Sequence, residues 1–179
     1  MVTDAVEPAT GSNPSLVYLD SNFYLDYLQG DRPGHAAAEA VVEAWKSGQV
    51  ELATSSLTLT EVLYVKIDDV SARVMIPRER EADIIDLFRP YGARRFRLIE
   101  LDRVIAEAAR QVVWDHGIHP KDAIHVASAL RGRVPVMFTR DGKLLRTSGK
   151  VGGNPLLTIV PPAWNVQTTL GLDADAPLS

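Results

Sequence analysis

The chain has 179 residues, 46% of them hydrophobic and 23% charged, with a formal net charge of −4 and no cysteine. That length suits one domain with a full core, and the missing cysteines exclude disulfides, a thiolate nucleophile and cysteine-ligated zinc. No apolar run approaches the roughly 18 residues of a membrane span, and the net charge argues against a dedicated duplex-DNA binder. Residues 1–14, made of Pro, Gly, Ser, Ala and acids, read as a loose tail. They carry no Lys or Arg and so lack a signal or transit-peptide pattern, which makes a cytoplasmic location the default expectation. Leu16 to Leu19 is an apolar run of strand formers, short enough to be buried on both faces. It ends in Asp20, Ser21 and Asn22, all favoured helix N-caps. Phe23, Tyr24, Tyr27 and Leu28 then recur at helical spacing, with Gly30 as a stop.

After a DRPG turn at 31–34, Ala37, Ala40, Val41, Ala44 and Trp45 form an apolar helix face closed by Gly48. Val50 to Thr54 reads as a second strand. The stretch SSLTLTEVLYV at 55–65 reads as a helix, with Leu59, Val62 and Leu63 as core contacts. Lys66 to Ile76 is mixed and fits either a continuation of that helix or a loop. Pro77 opens a helix with Ile84, Ile85, Leu87, Phe88 and Tyr91 buried and Gly92 at its end. Phe96 to Leu101 is a strand, and Asp102 caps a helix whose face is Val104, Ile105, Ala108, Val112 and Val113, stopped by Gly117. HPKDAIHVASALRG at 119–132 is a small-residue helix with Ala123, Ile124, Ala127 and Leu130 inward. Val134 to Thr139 and Leu156 to Val160 are the last strands. Strands alternating with helices give an α/β domain over 15–160 with a parallel sheet covered on both faces. Pro161 and Pro162 end it, and 161–179 reads as a tail or arm. Trp45 and Trp114 are expected in the core, and Trp164 at a partner contact.

Four acids have local explanations. Asp20 can cap a helix, Glu61 can close a capping box with Thr58, Asp122 can serve a helix dipole, and Asp141 can make a turn with Gly142. Their shared position is harder to explain locally. Asp20 and Asp141 follow buried strands directly, while Glu61 and Asp122 lie near the starts of helices that pack on the sheet. In a parallel sheet such points lie along one edge, where ligands bind. Converging carboxylates raise each other's pKa unless a cation sits between them. An all-oxygen set suits Mg²⁺ or Mn²⁺, which lower the pKa of a bound water and stabilise charge on a phosphoryl group. The chemistry implied is metal-assisted phosphodiester hydrolysis.

In this order and spacing, LDSNFYLDYL at 19–28, SLTLTEVLY at 56–64, PKDAIHVASAL at 120–130 and FTRDGKLL at 138–145 resemble the signature of PIN-domain proteins over roughly 15–160. The resemblance implies a three-layer α/β/α sandwich with a mostly parallel sheet and a metal-dependent ribonuclease. It puts Asp20, Glu61, Asp122 and Asp141 on the family's acidic cluster, with Ser21 and Thr139 on its small hydroxylated positions. Single-domain bacterial proteins of this kind are most often similar to VapC toxins. That likeness implies a small antitoxin partner, an RNA substrate and a two-fold homodimer. The chain departs from the compact toxin pattern through its 66–80 region, its two tails and His119, which stands where a basic residue is common.

Arg140, Lys143 and His119 are candidate substrate contacts, the first two within a basic stretch that also holds Arg146 and Lys150. His125 can touch substrate or carry protons, or simply pack. Neither a GxxxxGK phosphate loop nor a GxSxG elbow is present. Two other readings stay open: a PIN-like module that binds RNA or protein without cutting, and a metal-dependent phosphatase or DNA nuclease using the same carboxylates.

Overall fold

A computed structural model describes residues 15–66, 73–76, 78–80, 82 and 95–164. Five parallel strands form the central sheet: β1 (Leu16–Leu19), β2 (Glu51–Ser55), β5 (Phe96–Ile99), β6 (Val136–Phe138) and β7 (Thr158–Val160), in spatial order β5-β2-β1-β6-β7. The helices are α1 (Ser21–Leu28), α2 (His35–Lys46), α3 (Thr58–Glu61), α4 (Arg103–His116), α5 (Pro120–Arg131) and α6 (Gly142–Leu145). The alternation of strand and helix foreseen from the sequence is the architecture observed.

β1 is central because its apolar run satisfies both faces at once. Tyr18 pairs with Ala53 of β2 and Met137 of β6, and Val17, Tyr18 and Leu19 are all fully buried. Successive side chains of a strand point to opposite faces. Val17 and Leu19 accordingly join a core under α1 and α2, while Tyr18 joins a second core under α4 and α5. Phe23 of α1 fills the first core; burying such a side chain contributes roughly 1.5–3 kcal/mol. Asp20 caps α1 and Asp102 caps α4, accepting from Phe23 N–H at 3.0 Å and Ile105 N–H at 2.9 Å. Gly117 ends α4 at φ 63°, a conformation that a side chain disfavours.

Several expectations are corrected. The helix foreseen over 55–65 is a single turn, α3. The chain then forms an antiparallel hairpin of β3 (Tyr64–Lys66) and β4 (Arg73–Met75), not a helix continuation. The β-branched and aromatic residues Tyr64, Val65 and Val74 favour strands. Val62 is buried but Leu63 is 40% exposed. Helix α4 presents Ile105, Ala109 and Val112 to the core, while Val104 and Ala108 are exposed and Val113 is partly buried. The buried face is therefore rotated from the expected one. Trp114, expected in the core, is 69% exposed, with the Arg110 guanidinium 5.0 Å from its ring centroid. In α5 the buried set is Ala123, His125, Val126, Ala127, Ser128 and Ala129, while Ile124 and Leu130 are only partly buried. Trp45 packs edge-on against Phe96, as a core residue should. Trp164 lies on the first core with Nε1 3.4 Å from Gln49 Oε1. Of the helix expected from Pro77 to Gly92, Arg78–Arg80 form a 3-10 turn; apart from these and residue 82 that stretch, like the tail 1–14 and residues 165–179, falls outside the described residues.

Candidate active site

Asp20 leaves the end of β1 and is 2% exposed. Its Oδ1 caps α1 and its Oδ2 accepts from Thr139 Oγ1 at 2.6 Å, just past the end of the adjacent strand β6. Thr139 Oγ1 in turn accepts from Asp141 N–H at 3.0 Å. One hydroxyl thus ties the carboxylate of the first loop to the backbone of the second. Burial pushes the Asp20 carboxyl above its ordinary range; His125, Thr139 and the Phe23 N–H oppose that rise.

Glu61, on α3, forms no capping box. Leu57 stands at that helix's N-cap without a side-chain bond, and Thr58 Oγ1 lies 2.8 Å from Thr54 Oγ1 instead. The Glu61 carboxylate is bound from three sides. Ser21 Oγ donates to Oε2 at 3.0 Å, His125 Nε2 lies 2.7 Å from the same oxygen, and Lys121 Nζ is 3.3 Å from Oε1. Burial raises the Glu61 pKa. The His125 hydrogen bond, its charge when the ring is protonated, and the Ser21 and Lys121 contacts outweigh that effect and hold it at about 2.

His125 was only a weak candidate from the sequence, and the structure places it inside this network. Its Nδ1 is 2.8 Å from the Tyr18 hydroxyl, and Tyr18 and His125 are both buried. Burial holds the Tyr18 phenol protonated far above its usual range. Its proton is therefore available to Nδ1, which leaves Nε2–H aimed at Glu61.

Asp122 sits half-buried in the first turn of α5, and among the described residues its carboxylate has no hydrogen-bond or ion-pair partner. Its pKa is raised by burial first and by Asp141 second, with Glu61 adding to the rise; His125 and His119 pull it down. Asp141 caps α6, with Oδ1 accepting from Lys143 N–H at 2.7 Å and Leu144 N–H at 3.1 Å. The four acids, with Ser21 and Thr139, are thus gathered where the sheet ends. Among the described residues no three His, Asp or Glu side chains are grouped so that they could hold a metal ion as they stand. The donor chemistry nevertheless fits a hard divalent cation: every donor is oxygen, and Asp122 is a carboxylate without a protein donor facing two like charges.

The other candidates separate. His119 caps α5, its Nδ1 accepting from Lys121 N–H at 3.3 Å. The Lys143 side chain is exposed. Arg140 is paired, with Nη1 at 3.0 and 2.9 Å from the two oxygens of Asp26, which also binds Arg32 Nε at 2.5 Å. The sequence reading missed Asp26, 1% exposed. The available signal was an acid set among Tyr24, Leu25, Tyr27 and Leu28 of an apolar helix. Gly34 makes room for the cluster, since a Cβ there would overlap the Asp26 carboxylate.

The PIN domain family model matches residues 17–150. This chain belongs to the PIN domain family. PIN domains are nucleases. No curated protein matches this PIN domain by sequence. Among the solved structures that share its fold are the following three. A toxin–antitoxin complex from Klebsiella pneumoniae is 21% identical with TM-score 0.52, covering 82% of this chain and 97% of its own. VapBC2 from Rickettsia felis, bound to a DNA fragment from its promoter, is 15% identical with TM-score 0.51, covering 80% and 98%. Mycobacterium tuberculosis VapC20, described as a sarcin–ricin loop cleaving toxin, is 14% identical with TM-score 0.50, covering 70% and 90%.

Proposed function

We propose that this PIN domain is a metal-dependent endoribonuclease and the toxin of a type II toxin–antitoxin pair. The observation that carries the reading is Asp122, a half-buried carboxylate without a protein partner among the described residues, raised in pKa by burial first and then by Asp141 and Glu61. Asp20, Asp122 and Asp141 would hold Mg²⁺ or Mn²⁺, with Glu61 as the fourth acid. Such an ion, when bound, lowers the pKa of a water and stabilises charge on a phosphoryl group. The residues of the chain do the rest. Thr139 fixes the rotamer of Asp20 and the backbone of Asp141 together. Glu61, with a pKa of about 2, is too weak a base to take a proton efficiently near neutral pH. Its role is a fixed negative charge, oriented by Ser21 and His125.

Unpaired RNA is the substrate class, because its splayed backbone reaches a site open at a sheet edge. A small antitoxin is the partner that the described toxin–antitoxin neighbours support. A homodimer belongs to the same reading. Its support is not α1, whose Phe23, Tyr24 and Leu25 are buried in the chain's own core. It is the exposed Trp114, which with Ala106, Val113 and Ile124 lines an apolar groove of about 230 Å³ between α4 and α5. No helix among the described residues is long and apolar enough to cross a membrane, in keeping with a proposed cytoplasmic location.

The test is incubation of purified protein with total RNA, in Mg²⁺ or Mn²⁺ against EDTA, followed by mapping of new ends. Metal-dependent cutting lost in both Asp20→Asn and Asp122→Asn is expected. Cutting that persists in EDTA or in both variants refutes the reading. Cutting of DNA but not RNA makes the protein a deoxyribonuclease on the same carboxylates.

A further inference from the structure

A second cleft, of about 430 Å³, opens beside the acidic edge. One wall is the end of α4 and the link to α5, with Asp115, His116, Gly117 and Ile118; the other is Lys143, Arg146, Thr147 and Lys150. Both walls continue chain segments that carry site carboxylates. The first runs through His119 into the helix turn that holds Asp122. The second begins at Lys143, whose N–H donates to Asp141. The Arg146 guanidinium folds back over Gly142, the residue next to Asp141, with Nη1 3.7 Å from where a Cβ of Gly142 would stand. The cleft is therefore a direct extension of the site.

Its cations are gathered rather than scattered. Lys46, Arg97, Arg103 and Arg140 are matched, with Glu43, Glu51, Glu107 and Asp26, and Arg95, Arg131 and Arg133, unmatched among the described residues, lie outside this cleft. Among the described residues the side chains of Lys143, Arg146 and Lys150 have no hydrogen-bond or ion-pair partner, and all three are exposed. The opposite wall carries one carboxylate, Asp115, which accepts from the neutral Gln111 Nε2 at 2.8 Å and keeps its charge, so the cations outnumber it three to one. A protein with net charge −4 thus concentrates three unmatched cations, with His116, along one cleft. Like charges held together repel unless an anion is shared. The spacing of 143, 146 and 150 along successive turns suits a chain of anions better than one.

We propose that this cleft binds the phosphate backbone of the RNA strand flanking the bond cut at the acidic site, with Lys143, Arg146 and Lys150 as phosphate contacts. The assignment rests on the ribonuclease reading for its ligand. An acidic protein segment would satisfy the same charges. RNA is favoured because the cleft is continuous with the site at both walls, so that a strand lying across Asp122 and Asp141 runs directly into it.

The test is equilibrium binding of a fluorescein-labelled single-stranded oligoribonucleotide by the full chain in EDTA, where no metal-dependent cutting competes, across a salt series. Each single-strand phosphate contact contributes about −0.7 to the slope of log K against log salt. Arg146→Gln/Lys150→Gln should then shallow the slope by about 1.4 and remove roughly sevenfold of the affinity lost between 50 and 200 mM salt. Both residues are exposed, so an unchanged Tm is the folding control, and Arg146→Glu/Lys150→Glu should weaken binding further. In metal, the Gln variant should raise KM for a long RNA and leave cleavage of a dinucleotide, too short to reach the cleft, at the wild-type rate. Equal slopes for wild type and variant overturn the proposal. So does polyglutamate that displaces RNA from wild type but not from the variant at concentrations below those of competing RNA. Because binding is read without metal, loss of the slope change condemns the cleft alone, whereas failure to cut with the slope change intact condemns the nuclease reading alone.

Discussion

Replacing Asp122 by Asn separates a shared acid site from a helix whose first turn happens to hold an acid. Two opposing effects act on that charge. The dipole of α5 favours an acid in its first turn by roughly 0.3–1 kcal/mol. Burial, Asp141 and Glu61 disfavour it, and the net result is a carboxyl whose pKa in the folded protein lies above its usual 3.8. Repulsion and desolvation therefore win. A carboxyl with a raised folded pKa withdraws stability at neutral pH, and that stability returns as the pH falls through the folded pKa towards 3.8. In EDTA at pH 7, Asp122→Asn should melt at or above wild type, and the advantage should shrink as the pH falls through the raised folded pKa. On the proposed metal site, metal should reverse the order. A ligand at one hundred times its Kd stabilises the native state by about 2.7 kcal/mol, which for a chain of this size is roughly 5–11 °C in Tm. Wild type should gain that shift with Mn²⁺, and the variant much less. Scanning fluorimetry over pH, with EDTA and with Mn²⁺, measures both halves. A variant that melts below wild type in EDTA at pH 7, with equal Mn²⁺ shifts in the two proteins, would show that Asp122 serves only its helix.

Other perturbations follow from the contacts. His125→Phe removes the group that orients Glu61 and should lower the cutting rate by about 10–100-fold, as outer-shell losses do; single-turnover kinetics beside a Tm reading would expose a merely structural effect. Thr139→Val strips Asp20 Oδ2 of its donor and Asp141 N–H of its acceptor, and should cost about 1–3 kcal/mol in urea unfolding along with activity. Arg140→Met leaves the buried Asp26 with Arg32 alone and should lower stability by about 1.5–3 kcal/mol; unchanged denaturation midpoints would refute it. Gly34→Ala should disturb the same cluster by pushing the Asp26 carboxylate aside, read as a lower midpoint at constant m-value.

The four acids stood out as candidates because each lies at or a few residues past the point where an apolar pattern stops: after LVYL, beyond the second strand, at the start of α5 and after VMFT. Boundaries of that kind follow from local sequence alone. His125 was not legible in the same way. It lies inside a small-residue helix, and its meaning comes from Tyr18, 107 positions away, and Glu61, 64 positions away. The Asp26–Arg140 pair spans 114 positions and was hidden for the same reason. The rotation of α4 had another cause. Val104 and Ala108 belong to a helical stripe as good as that of Ile105, Ala109 and Val112, and only the position of the neighbouring α5 selects between them. The hairpin at 64–75 was lost because three-residue strands give too short a period to outweigh the helical reading of the residues before them.

The bond from Thr139 to Asp20 has a consequence in time. It joins residues 119 positions apart, and β6, which brings Thr139 to that point, is the immediate neighbour of β1 in the sheet. At synthesis rates of about 5–20 residues per second, roughly 6–24 s separate the making of Asp20 from the making of its partner. A nascent chain ending before β6 holds Asp20 without Thr139 and Asp122 without Asp141, and leaves one edge of its first strand unpaired. The protein is therefore synthesised in an incomplete form, and its four candidate acids can come together only after Asp141, within the last third of the chain, has been made.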